Sequence, residues 1–273
     1  DDFLSFACYA SFFPQLVAGP ILRASYFLPQ LREKMKISEA GTKLRQSLIH
    51  NSNLKFGITL MAFGFLKKMF FADNISPMVN EIFQFPFSHD SFVIIVTTIA
   101  FGIQVYADFS AYSDIAIGAA LILGFKIPMN FNKPFFAISP SDFWRRWHIS
   151  LSTWVRDYLF NEIIFRKLNS DMVYVFGLIV TFFLLGLWHG AGWNFIIFGL
   201  LHGSYVTIEF IVRRKIPFLS NNKFFTSKVG IIFSILVTQY LIFFAFISFR
   251  LTDINDMFYV MEKFIILDIN FSE

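Results

Sequence analysis

The sequence predicts an all-α polytopic membrane protein, and three observations carry the prediction. Hydrophobic residues make up 56% of the 273-residue chain, 40 of them phenylalanine, and the mean hydropathy is +0.58. A soluble domain of this length has too little interior to bury that much apolar surface. The apolar residues fall into runs close to the roughly 20 residues needed to cross about 30 Å of hydrocarbon. Lys and Arg stand in the connectors between those runs, not on one aromatic-interleaved face, so the net charge of +4 reads as a topology signal and argues against nucleic acid as a partner.

Six runs are predicted to span the membrane: 3–22, 54–72, 91–125, 172–188, 192–212 and 229–250. The first begins directly after Asp1-Asp2, with no methionine and no cleavable signal pattern, which predicts a piece that has lost amino-terminal spans. As one helix, the run 91–125 would be about 52 Å long at about 1.5 Å per residue. A bend or partial re-entry is therefore expected near Gly102, Gly118 or Gly124. The connectors Arg23–Arg45, Lys126–Lys167 and Arg213–Lys228 are rich in Lys and Arg, whereas Asp73–Asp90 contains Asp73, Glu81 and Asp90 but neither basic residue type. With the basic connectors in the cytoplasm, one weave results, and Asp1 and the segment after Arg250 lie outside. Lys67 and Lys68, near the outer end of their run, are expected to snorkel. The single cysteine, Cys8, excludes an internal disulfide or thiolate cluster and is expected to be a small core residue.

The connector 141–158 has helical periodicity. Trp144, Trp147, Leu151, Trp154 and Tyr158 share one side, and Arg145, His148, Ser152 and Arg156 another. This pattern predicts an amphipathic interfacial helix capped by Ser139 or Ser141.

Of the five histidines, His50 and His89 sit in polar connectors and are expected at the surface. His189 lies in Trp188-His189-Gly190-Ala191-Gly192-Trp193-Asn194, between two apolar runs. It serves either as an interhelical hydrogen-bonding group or as a general base, for which neutral imidazole is the required form. Gly186, Gly190 and Gly192 leave room beside it for a substrate or for another backbone. His202, next to Gly203 and on the same helical face as Glu209, reads as a packing residue. His148, beside the arginines, is either an interfacial anchor or a contact for an anionic donor. Asp108 and Asp114 interrupt the apolar run 91–125. Acids at that depth are costly, so they either hold helices together or line a pathway. Metal, nucleotide and serine-nucleophile chemistry is not expected, because no HExxH pair, phosphate-binding or dinucleotide glycine motif, or GxSxG elbow occurs.

Taken together, several motifs resemble the membrane-bound O-acyltransferase (MBOAT) family. They are Asp142-Phe143-Trp144-Arg145-Arg146-Trp147-His148-Ile149-Ser150-Leu151-Ser152 with Arg156-Asp157-Tyr158-Leu159, Gly186-Leu187-Trp188-His189-Gly190, Leu201-His202-Gly203, Phe13-Pro14-Gln15-Leu16-Val17-Ala18-Gly19-Pro20-Ile21, and Tyr106 to Gly118. The branch most similar is that of the alginate O-acetyltransferases, related to the teichoic acid D-alanyl transfer protein. The resemblance implies a single membrane-embedded domain over 1–273, a ring of tilted helices around a central tunnel with interfacial or re-entrant helices, lacking early spans; whether final spans are also missing stays open.

The implied activity is acyl transfer, with acetyl the expected group. It runs from a cytoplasmic thioester donor, acetyl-coenzyme A or an acyl carrier, to a hydroxyl of an extracytoplasmic polysaccharide or partner protein, in a bacterial cytoplasmic membrane and with no bound cofactor or metal. A separate extracytoplasmic acetyltransferase is an expected partner besides the lipid bilayer. His189 corresponds to the family's catalytic histidine and His148 to its second characteristic one. Trp144, Arg145, Arg146 and Arg156 are implied at the donor entrance, and Asp108, Asp114, Trp188, Asn194 and His202 as tunnel support. Two other classes stay open: a transporter or channel whose intramembrane His and Asp line a pathway, and a non-catalytic scaffold of an envelope-modifying complex. Only the acyltransferase requires a thioester donor.

Overall fold

The computed structural model describes residues 3–39, 51–165, 170–216, 218 and 222–267. His50 and the terminal Asp1-Asp2 lie outside these. Among the described residues there are helices and turns but no strand. Four helices are long and apolar enough to cross a membrane: Ser91–Ile122, Asp171–His189, Trp193–Lys215 and Lys228–Arg250. Only 28–39% of their most apolar stretches is buried within the protein. Large side chains such as Phe56, Phe176, Ile232 and Leu236 stand exposed, as expected where hydrocarbon is the solvent.

The chain forms two compact units. The first comprises Asp1–Asn74, Gln104–Asn132 and His148–Leu151; the second comprises Ile75–Ile103, Lys133–Trp147 and Ser152–Glu273.

In the first unit, the run 3–22 is not one spanning helix. Helix α1 covers Phe3–Ala10 and is followed by a short 3-10 turn, Phe13–Gln15. Pro14 lacks the N–H that a continuing helix needs, and a side chain at Gly19 would collide with the Pro14 carbonyl. Gln15 holds the resulting loop: its Nε2 donates to the Tyr9 carbonyl at 2.6 Å while its Oε1 accepts from Leu22 N at 3.4 Å. The loop and helix α2 (Ala24–Glu39) close over a core of Phe12, Leu22, Phe27, Ala120, Phe125 and Ile127, in which Phe27 and Phe125 stack at 4.9 Å. Cys8 is partly buried at its edge.

Helix α3 (Asn51–Leu66) runs through a π-helical segment, Lys67–Ala72, directly into α4 (Asp73–Gln84). Helix α5 (Ser91–Ile122) is uninterrupted, so re-entry at Gly102 or Gly118 does not occur, and the chain turns only at Gly124, where φ is 79°. The two earlier glycines serve close packing instead. Gly118 of α5 faces the Gly57 carbonyl and Met61 of α3, and in the second unit Gly102 lies against the Phe243 ring.

The expected single helix over 141–158 is divided. Helix α6 covers Pro140–Arg146, α7 Ile149–Val155, a π-helical segment Arg156–Phe160, and α8 Asn161–Ile164. Ser139 caps α6, its Oγ accepting from Asp142 N at 3.2 Å. The break falls at His148, whose φ of 43° puts a non-glycine residue in the left-handed region at a cost of order 1–3 kcal/mol. The two predicted faces are therefore not continuous: Trp147, His148 and Leu151 are buried, whereas Trp154 and Tyr158 are exposed.

In the second unit, α10 (Trp193–Lys215) packs against both α9 (Asp171–His189) and α12 (Lys228–Arg250), with the short α11 (Lys223–Thr226) before α12 and α13 (Ile254–Ile265) after it. Helices α9 and α10 approach most closely at glycines. A side chain on Gly199 would collide with the Phe182 carbonyl, and one on Gly186 with the Phe195 carbonyl. Such small-residue contacts drive helix association where lipid removes the hydrophobic incentive. We expect Gly199→Val to force the pair apart and to destabilise the protein by about 2 kcal/mol or more, measured as a lowered unfolding temperature in detergent; an unchanged temperature would show that the approach is not needed.

Candidate active site

His189 is the last residue of α9, and its half-buried ring is enclosed by aromatic side chains. Phe249 and Phe198 meet it edge-on with centroids at 5.1 and 5.8 Å, Phe195 lies nearly parallel at 6.3 Å, and Trp188 stands at 4.8 Å. The imidazole makes no hydrogen bond among the described residues, and neither nitrogen is a fully buried orphan. It is not, in this arrangement, the interhelical hydrogen-bonding group that one reading of the sequence allowed. The neighbouring glycines serve the protein's own packing: Gly190 faces the Phe195 ring, and Gly192 the Asn194 side chain. Asn194 is buried and ties the start of α10 to the end of α12, its Nδ2 donating to the Ser248 carbonyl at 3.2 Å.

His202 behaves differently. It is 0% exposed, and its Nδ1 accepts from Trp144 Nε1 at 3.3 Å. The indole can only donate, so Nδ1 carries the lone pair and the neutral ring's proton sits on Nε2, which has no partner. Phe143 and Phe182 lie nearly parallel to it at 6.3 and 6.4 Å, and Phe198 edge-on at 4.6 Å. Because Phe198 touches both histidines, His189, Trp188, Asn194, His202 and Trp144 form one aromatic-lined cluster within the second unit.

The residues expected at a donor entrance separate. Asp142 gathers Arg146 at 2.9 Å and Arg145 at 3.7 Å, while Arg156 pairs with its neighbour Asp157 at 2.8 Å. Arg145 also lines a cavity of about 210 Å³ with Ser141, Tyr174, Glu209 and Arg213. Glu209 accepts from Ser141 N at 2.8 Å and pairs with Arg213 at 2.9 Å. Arg213, at the basic end of α10, was readable only as a topology signal.

In the first unit, His148 is buried in a polar network. Asn130 Oδ1 accepts from Ser150 N at 3.3 Å and from Ser150 Oγ at 2.9 Å, and its Nδ2 donates to Ser113 Oγ at 3.2 Å. The backbone donor fixes which end of the carboxamide is oxygen, so His148 Nδ1, 3.0 Å from that oxygen, must donate to it. Ser150 Oγ in turn accepts from Ile21 N at 2.9 Å, joining two of the motifs seen in sequence. Asn130 gave no signal of its own in the sequence.

Asp108 and Asp114 find cationic partners on the π-helical segment. Lys67 pairs with Asp114 and bonds Ser110 Oγ at 3.0 Å; Lys68 reaches Asp108 at 2.8 Å and Asp73 at 2.9 Å. These lysines are therefore ion-paired rather than snorkelling. A lysine pair inside an apolar run was the sequence signal for partners to two equally misplaced acids.

The sequence profile of the membrane-bound O-acyltransferase family matches residues 2–249. The chain belongs to that family. It is a multi-pass, all-α membrane protein of the family, with relatives named for several activities. A peptidoglycan O-acetyltransferase of Helicobacter pylori is 38% identical over 207 residues, 76% of this chain and 37% of the relative. The probable alginate O-acetylase AlgI of Azotobacter vinelandii is 38% identical over 218 residues, 78% of this chain and 40% of the relative. A teichoic acid D-alanyltransferase of Bacillus subtilis is 30% identical over 248 residues, 87% and 59% respectively. The chain thus spans about two fifths of the length of the first two.

Two outcomes follow from these contacts. Lys67→Met or Asp114→Leu alone will each lower the unfolding temperature in detergent, and the double variant will lose less than the sum, because a single substitution strands one charge; strict additivity would show that the pair contributes nothing. Trp144→Phe, which removes the donor to His202, will cost about 1–3 kcal/mol of stability, read by the same melting experiment, with no loss sinking the assignment.

Proposed function

We propose that the whole protein to which this chain belongs is an O-acyltransferase that moves an acyl group, with acetyl the expected one, from a thioester donor to a hydroxyl of an envelope polysaccharide, and that His189 is its general base. The observation that carries the assignment is the contrast between two histidines in one aromatic cluster. His202 is fully buried and committed to Trp144, whereas His189 has no hydrogen-bond partner among the described residues. Membership of the family and the activities for which its relatives are named, O-acetylation of peptidoglycan and, as a probable activity, of alginate, support the reaction class.

In this reading the acceptor hydroxyl gives its proton to the free imidazole nitrogen as its oxygen attacks the thioester carbonyl. The tetrahedral adduct collapses by breaking the C–S bond, and the departing thiolate takes the proton back from the imidazolium, leaving an ester and a free thiol. No bond to the enzyme forms. The surrounding rings exclude water, which would otherwise hydrolyse the donor. A base so positioned contributes about 10²- to 10⁴-fold. Arg145 and Arg213, at the cavity beside Glu209, supply the positive charge that the anionic end of a coenzyme or carrier needs.

The donor side is assigned to the cytoplasm because Arg213, at the end of α10, and Arg145, on α6, both adjoin or lie in connectors rich in Lys and Arg. A separate extracytoplasmic acetyltransferase is the proposed partner, acting on the same polymer. The bacterial cytoplasmic membrane is the compartment where a cytoplasmic thioester and an envelope polymer are both within reach.

The test expresses the whole gene product in membranes and follows labelled acetyl from acetyl-coenzyme A into envelope polymer. His189→Ala will reduce incorporation at least 10²-fold with membrane insertion unaltered. Equal incorporation by both proteins would remove His189 from the chemistry and favour a transporter or a scaffold.

A further inference from the structure

A second polar cavity lies at the same end of α12 as His189. Phe249, which meets the His189 ring at 5.1 Å, is followed by Arg250, the last residue of that helix. Arg250 Nη2 donates to Asn80 Oδ1 of α4 at 2.8 Å. Its half-buried guanidinium has no carboxylate partner among the described residues. Around it is a cavity of about 330 Å³ whose polar lining is Asn80, Gln84, Arg250, Thr252, Asp253 and Asp256. Phe83 and Leu251, both buried, form its floor. All of these residues, and His189, belong to the second unit.

The lining selects a ligand class. Arg250 in the wall disfavours a metal cation, and Asp253 and Asp256 disfavour phosphate or another multiply charged anion. What remains is a mixture of donors and acceptors spread round the rim: two carboxamides, a hydroxyl, a guanidinium and two carboxylates. One of those carboxylates is already committed to the α13 N-terminus, Asp253 Oδ1 accepting from Asn255 N at 2.8 Å and Asp256 N at 3.1 Å. Interspersed single donors and acceptors over a small apolar floor suit a ring bearing several hydroxyls. The volume is at the small end of the range for ligand sites, about 300–1,000 Å³, which admits one sugar residue rather than a coenzyme. The cavity is also on the side the acceptor must approach from: α4 lies in the connector without Lys or Arg, and Arg250 ends the last predicted span, both external in the weave the basic connectors define.

We infer that the Arg250–Asn80 cavity is an acceptor subsite, holding one sugar residue of a glycan while a neighbouring residue of the same polymer presents its hydroxyl toward His189. This rests on the acyltransferase reading above, and the experiment separates the two. The whole gene product, purified in detergent, is supplied with acetyl-coenzyme A and one of two short probes, a neutral N-acetylhexosamine tetramer or a hexuronate tetramer. Acetyl transfer is measured as a function of probe concentration for wild type, Arg250→Gln, Asn80→Ala and His189→Ala. The subsite predicts that Arg250→Gln and Asn80→Ala each raise the KM for the accepted probe at least tenfold and change kcat far less, whereas His189→Ala removes kcat.

Since the Arg250–Asn80 bond also joins two helices, Gln84→Ala, at an exposed position of the rim, is the second variant; it should raise KM several-fold with the melting temperature unchanged. Unaltered KM in all three rim variants, with His189→Ala inactive, overturns the subsite and leaves the acyltransferase intact. Acetyl-coenzyme A turnover that depends on His189 but acetylates neither glycan also overturns it. Transfer that survives His189→Ala removes His189 from the chemistry and overturns the general-base reading above.

Discussion

Hydrocarbon offers no hydrogen-bond partner, and most of the architecture described above answers to that constraint. A polar group at membrane depth must be satisfied inside the protein or face a cavity. The Lys67–Asp114 and Lys68–Asp108 pairs are the plainest case, four charges that would each be costly alone. Their partners come from two helices that approach closely at Gly57, Gly64 and Gly118. The π-helical segment carrying both lysines shifts their direction relative to a regular helix, and π segments of this kind are frequent at functional sites.

The same constraint gives meaning to the two histidines of the second unit. His202 meets it by accepting from Trp144 and filling its faces with phenylalanine rings; His189 does not meet it with any described side chain. A group left without an internal partner in such surroundings is available to something that arrives. Around it the aromatic box, the Asn194–Ser248 tie and the glycine-mediated contact of α9 with α10 hold the ring in place without engaging its nitrogens. Positioning without commitment is what general-base chemistry asks of its surroundings.

His148 illustrates a different use of the same chemistry. Its left-handed backbone breaks what periodicity predicts as one helix, and Asn130 makes the break tolerable. The Asn130 carbonyl accepts from Ile149 N and its side-chain oxygen from Ser150 N, so two N–H groups at the start of α7 are satisfied from outside the helix. The strain and the network act together: one aims the imidazole inward, and the other sets which nitrogen carries the proton.

Composition, span length and the placement of Lys and Arg determined from sequence alone that this is an all-α membrane protein, because these depend only on how much apolar surface lipid must cover. The Trp-His motifs, as recurrent local patterns, were likewise legible and led to the family. Periodicity could not reveal the interruption at His148, since a helix wheel assumes the backbone that Asn130, 18 residues earlier, overrides. Nor could it show that Gly102 and Gly118 lie within an unbroken helix, because a glycine that bends a helix and one that admits a neighbour look alike until the neighbour is seen. Tertiary structure alone paired the intramembrane acids with Lys67 and Lys68, committed His202 but not His189, and brought Asn80 to Arg250 across 170 residues of chain; each is a contact between distant segments, decided by packing geometry that no local pattern encodes.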